Sequence, residues 1–91
     1  MKGKMPKPKF LVIEWQDARG GYTEWQHIEE HEETPLNNYV VQSSGYVIRE
    51  SKDVIHIAAH VHFDPETEKL SQFCGDMQIP KKMIIRQWEV K

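Results

Sequence analysis

Alternation of apolar and polar side chains is clearest in VIHIAAHVHF, residues 54–63. Ile55, Ile57, Ala59, Val61 and Phe63 fall on one side of an extended chain, and Val54, His56, Ala58, His60 and His62 on the other. That period predicts a half-buried antiparallel strand with its histidine row turned away from the core. KFLVIEWQDA predicts a first strand, with Phe10, Val12 and Glu14 on one face and Leu11, Ile13 and Trp15 on the other. YVVQSSGYVIRES, LSQFCGDMQI and MIIRQWEV add three more segments rich in β-branched and aromatic residues, and SSG permits a bend or bulge within the first of these. ESKD makes a hairpin turn, DPETEK a polar loop, and PKK a tight connection in which Pro80 biases Ile79 toward an extended shape.

Between the first two strands the period changes. After the break at Gly20 and Gly21, YTEWQHIEEHEE reads as a short helix. Thr23 and Gln26 form its capping box, Trp25 and Ile28 share a face, and Glu29, Glu30, Glu32 and Glu33 make a solvated face. TPLNN ends it. The fold expected is mainly β: a small five-stranded antiparallel barrel, Sm-like or Src-homology-3-like in size and rhythm, with one short helix after the first strand.

Ninety-one residues make one domain. A chain this short buries only about 60% of its unfolded surface, so its core is modest and oligomerisation would help it. Residues 1–9, with Lys2, Lys4, Lys7 and Lys9 among Gly3, Pro6 and Pro8, read as a flexible basic arm ahead of a single domain at 10–91. A net charge of −2 argues against a general nucleic-acid binder. No apolar run approaches the roughly 18 residues of a membrane span, and the single Cys74 allows no intrachain disulfide. A cytoplasmic protein without a membrane partner is expected.

Three imidazoles within seven positions, His56, His60 and His62, raise the question of a metal. Side chains at i and i+2 of a strand lie about 7 Å apart and those at i and i+4 about 13 Å, whereas zinc–nitrogen distances are about 2 Å. His60 and His62 could converge on one ion; His56 could join them only through a bend. His27 and His31 are a second pair, four apart on the expected helix, but Ile28 stands where a metalloprotease motif has Glu. Nothing brings the two pairs together, so no metal or other cofactor is expected, and the histidine row is read as solvent-facing.

No residue set nominates a reaction. Asp76 near Cys74 disfavours a thiolate, Ser43 and Ser44 lie in no nucleophile elbow, and Gly45 belongs to no phosphate-cradling loop. Binding is better supported. Trp15, Trp25, Trp88, Tyr22, Tyr39 and Tyr46 are many large rings for a small core; most should fill its interior and the rest form a stacking surface. Lys81, Lys82, Arg86 and Lys91 cluster late, while acids gather at 24–33 and 64–68. A local basic patch on an acidic chain suits a discrete anion.

SSGYVIRESKDVIHIAA and DMQIPKKMIIRQWEV, with the earlier EWQDA and GGYTEW, resemble small phage and prophage accessory proteins across residues 10–90. The shared texture is an aromatic–aliphatic hairpin ending in a basic–acidic pair, an alternating strand carrying Ala, and a late IPK turn. The lysine arm and the histidine row depart from it. The resemblance implies a compact β-rich protein of the infected host cell that binds and neutralises a host factor, and it carries over no catalytic residue. Some such proteins sequester nucleotide immune signals between subunits. The expectation is therefore a non-enzymatic counter-defence protein, a homo-oligomer holding a small anionic ligand such as a cyclic nucleotide. Arg49, Lys81, Lys82 or Arg86 would contact phosphate, and Tyr46 or Trp25 would stack on a base. Two alternatives stand beside it: a protein–protein inhibitor of a host enzyme, and an Sm-like single-strand binder using its lysine arm.

Overall fold

The computed structural model describes residues 8–18, 23–32, 36 and 38–91. Five strands form one antiparallel sheet: β1 Phe10–Asp17, β2 Tyr39–Glu50, β3 Val54–Phe63, β4 Leu70–Pro80 and β5 Ile84–Val90, in the order β4-β3-β2-β1-β5. Each lies within or beside a segment read as a strand from the sequence. Ser51 closes the β2–β3 turn, its Oγ accepting from the backbone N–H groups of Asp53 at 3.3 Å and Val54 at 3.1 Å. Asp64 organises the β3–β4 turn in the same way, accepting from Glu66 and Thr67. Those donors hold its carboxyl below the usual range.

The inward rows meet in a small aliphatic core of Leu11 and Ile13 from β1, Ile55 and Ile57 from β3, and Ile79 from β4, with Trp15, Val47 and Ile84 packed against it. Gly45, in β2 between β1 and β3, lets the strands close in, because a Cβ there would stand 2.9 Å from the Ala58 carbonyl oxygen. Beyond the core β3 and β4 run on as a hairpin, so the inward row of β3 is buried at Ile55 and Ile57 but exposed at Ala59 and Phe63.

Connector length shows that the sheet is curled. β4 and β5 are its two outer strands, yet only Lys81–Met83, a 3-10 turn, separates them in the chain. Four residue steps reach about 14 Å at most. Four strand spacings across a flat sheet come to about 19 Å. Register shifts between Glu14 and Trp15, Val47 and Arg49, and His62 and Phe63 supply local bends. The curl stops short of closure. β4 and β5 do not pair, so among the described residues the expected barrel is an open sheet with two unpaired edges. Alternation along a strand specifies which face is inside, but closure also needs matched tilt and stagger between the outer strands.

Three further expectations are corrected. The helix after β1 is a single 3-10 turn at Ile28–His31, preceded by His27 without a side-chain cap, so Thr23 is not its N-cap. Trp25 at 103% and Ile28 at 81% relative exposure pack on none of the described residues, and a segment this short does not stay helical without packing. The aromatic rings do not fill the interior either: Tyr39, Trp25 and Trp88 are exposed, and among the described residues the buried side chains are aliphatic apart from His56. His56 is the third correction, since it is only 4% exposed. The arm at residues 1–7, the glycine pair at 20–21, Tyr22 and most of TPLNN lie outside the described residues.

Candidate functional site

A buried imidazole in a core this small needs partners for both nitrogens. The face of β3 opposite the aliphatic core provides them from three adjacent strands. The register shift in β2 sets Arg49 across from His56, and Arg49 Nε–H donates to His56 Nδ1 at 3.1 Å. On the other side Asp76 of β4 lies one diagonal step away, with its Oδ2 2.6 Å from His56 Nε2. The tautomer follows from these contacts. Arginine can only donate, so Nδ1 is the acceptor and Nε2 carries the proton given to Asp76. That bond, before any other influence, holds the Asp76 carboxyl below its ordinary range. Phe73 closes the site edge-on, its ring centroid 5.1 Å from that of His56.

The chemistry available is limited by this saturation. In this geometry the imidazole has no free lone pair with which to take a substrate proton, so the histidine works as a strut. What it orients is Arg49. With Nε held by His56, the guanidinium lies on the rim of a cleft of about 320 Å³ lined also by Glu50, Ser51, Val54 and Gln78. Glu50 is engaged by Lys81 at 2.8 Å, which lowers its pKa.

Of the other residues named from the sequence, Lys81 reaches this cleft only through its ion pair with Glu50, and the rest do not converge on it. Arg86 forms a two-pronged ion pair with Glu14, Nε to Oε2 at 3.0 Å and Nη2 to Oε1 at 2.8 Å, and its guanidinium carbon sits 5.1 Å from the Trp88 ring centroid. The pairing lowers the Glu14 pKa and raises that of Arg86. Glu14 lies opposite Gln42, which is seven residues from Arg49 along β2, a contour of about 23 Å. Lys81 is spent on Glu50, and Lys82 projects exposed from the connector. Tyr46 packs edge-on against Phe10 with centroids 4.9 Å apart. It shares a cross-strand row with Ala58 and Asp76, which places it about 10 Å from Asp76. Trp25 lies outside the sheet, fully exposed.

His60 and His62 are exposed, with His62 Nδ1 3.1 Å from Ser71 Oγ. His27 is exposed, and the side chain of His31 lies outside the described residues. Among the described residues no three His, Cys, Asp or Glu side chains are grouped to hold a metal ion.

Of the working residues here, the sequence reading named Arg49 and missed His56 and Asp76. Counting outward from the ESKD turn would have set Arg49 near His56, and Asp76 is the one acid within β4. Comparison with protein-family models, curated proteins and solved structures gives no match.

Proposed function

We propose that the protein is a non-catalytic binding protein that holds a small anionic ligand at Arg49, in the manner of a phage counter-defence protein that sequesters a nucleotide signal. The observation that carries this reading is the Asp76–His56–Arg49 relay, which spends a buried polar side chain on orienting one guanidinium at a cleft. A pre-oriented arginine loses less freedom on meeting a phosphate, and its planar fork matches two phosphate oxygens. The cleft is at the lower end of the roughly 300–1,000 Å³ of small-molecule sites. A single nucleotide therefore suits it better than a cyclic dinucleotide. Tyr46, in the row beside Asp76, is the nearest candidate to stack on a base. Lys81, Lys82 and Arg86 drop out of the contact set, since two are already neutralised and Lys82 stands on the connector.

A thermal-shift panel of cyclic mononucleotides, cyclic dinucleotides and ADP-ribose derivatives tests the reading. At least one should raise the melting temperature, Arg49→Ala should abolish the shift, and Arg49→Lys should recover little because a single ammonium nitrogen cannot both donate to His56 and present a two-pronged fork. No shift from any member, or an equal shift in Arg49→Ala, overturns it.

A second reading, inhibition of a host protein, draws on the segment between β1 and β2. Trp25 at 103%, Ile28 at 81% and Leu36 at 102% exposure stand beside Glu24, Glu29, Glu30 and Glu32. Apolar anchors among acids suit a basic-rimmed groove on a partner. Capture of one stoichiometric host protein, lost in Trp25→Ala with Ile28→Ala, separates it from the first.

A further inference from the structure

Native sheets protect their free edges with charges, especially lysine, with proline, or by covering them. β5 follows that rule with Arg86 and Glu89. β4 does not. It is eleven residues long, carries one charge, Asp76, and places its proline at the last position. Apart from Asp76 its exposed side chains are neutral or apolar, with Phe73 at 43% and Met77 at 38% exposure, and the Cys74 thiol is exposed. We propose that this edge is an interface, and that its occupant is the β4 strand of a second copy, antiparallel about a two-fold axis beside Cys74. The inference is independent of the ligand assigned to Arg49.

Charge pattern and backbone geometry select the register. In a two-fold antiparallel pair, the residues whose backbone groups face the free edge must meet one another, so the axis passes beside a residue and not between two. An axis at Asp76 would set two carboxylates face to face, which is unfavourable. An axis at Gly75 would set each Asp76 against a Cys74 thiol, a weak donor. An axis at Cys74 gives each Asp76 the side-chain amide of Gln72 from the second copy. It also sets Phe73 opposite Gly75, which at φ +65° carries no side chain to crowd the pair. Ser71 then faces Met77, Leu70 faces Gln78, and the two Cys74 residues face each other.

The seam is short. It takes residues 70–78 from each copy, whereas a standard interface uses about 20–30 residues a side. The dimer is therefore weak and concentration-dependent.

Sedimentation velocity across tens of micromolar to millimolar protein should show monomer passing to dimer. Diamide, which takes up the two hydrogens released as the thiols join, should then link the chains through Cys74 in the concentration range where dimer forms. Cys74→Lys, which opposes two ammonium groups at the axis, should leave the circular dichroism spectrum unchanged and the protein monomeric. Cys74→Ser should dimerise without cross-linking, and Gln87→Lys on the β5 edge should behave as wild type. A protein monomeric at millimolar concentration overturns the proposal. So does a dimer that Cys74→Lys leaves intact, one that Gln87→Lys disrupts, or one that diamide fails to link.

Discussion

His56 shows how one side chain can join burial, strand pairing and presentation of a ligand group. Its ring is nearly inaccessible, and both its nitrogens are used across strand boundaries. His56→Ala removes both bonds at once. Leaving partly buried partners unsatisfied costs about 1–3 kcal/mol, and here the lower half applies because Arg49 and Asp76 can turn to water. Urea denaturation should show that loss, and Arg49 should lose its affinity for anions along with it. Asp76→Asn separates charge from shape. Asp76 has a folded-state pKa below its unfolded value of about 3.9. Its contribution is thus fully present above the unfolded value and is lost as the pH falls through the folded one. Glu14 and Glu50 are depressed in the same direction by Arg86 and Lys81, so acid should destabilise the protein below about pH 4. Melting temperatures from pH 7 to pH 2 should fall less steeply in Asp76→Asn than in wild type, starting from a lower value at neutral pH.

Strands are the scale at which glycine matters most. At Gly45 the nearest neighbours of an added Cβ are backbone atoms of Ala58, which cannot swing aside as a side chain would. Gly45→Ala must push β2 from β3 and should cost about 1–3 kcal/mol, as overpacking does. Chemical denaturation measures it, and a neutral outcome would mean that the strands approach less closely. The five strands were legible because each is a run rich in β-branched and aromatic residues bounded by turn formers, with alternation clearest in β3, and local chemistry such as Ser51 and Asp64 fixes the β2–β3 and β3–β4 turns. The segment around Trp25 was misread because its apolar spacing suits a helix, while helix formation needs a surface to pack on, which no local pattern reports. His56 was half legible. Its face follows from alternation; its burial depends on Arg49, Asp76 and Phe73 arriving from two other strands. Arg49 could be nominated by type, but the neutralisation of Lys81 and Arg86 depends on partners 31 and 72 positions away in the chain.

For the molecule as a whole, the governing fact is how little apolar material is out of water. Among the described residues six apolar ones are buried, including Ala58, while Phe63, Phe73, Met77, Ile85 and Val90 remain exposed on the outer strands and the projecting hairpin. A single sheet ordinarily needs a second layer against its apolar face, and among the described residues this one has only its own curl. Stability should therefore sit near the lower end of the usual 5–15 kcal/mol. Ile13, fully buried, makes that concrete: Ile13→Ala should cost about 2–5 kcal/mol and leave a substantial unfolded fraction by circular dichroism at 37 °C. Pairing of β4 edges would add the missing contacts only where dimer is populated, so stability must then depend on protein concentration. In the dimer regime a tenfold rise in concentration adds about 0.7 kcal/mol per chain, half of RT ln 10. For a domain of this size that corresponds to a rise in melting temperature of about 3–6 °C. Differential scanning calorimetry at matched buffer across the range used for sedimentation should show it, and Cys74→Lys should flatten it. A melting temperature that stays constant while sedimentation reports dimer would mean that the seam forms without protecting the fold, and that the small aliphatic core is sufficient by itself.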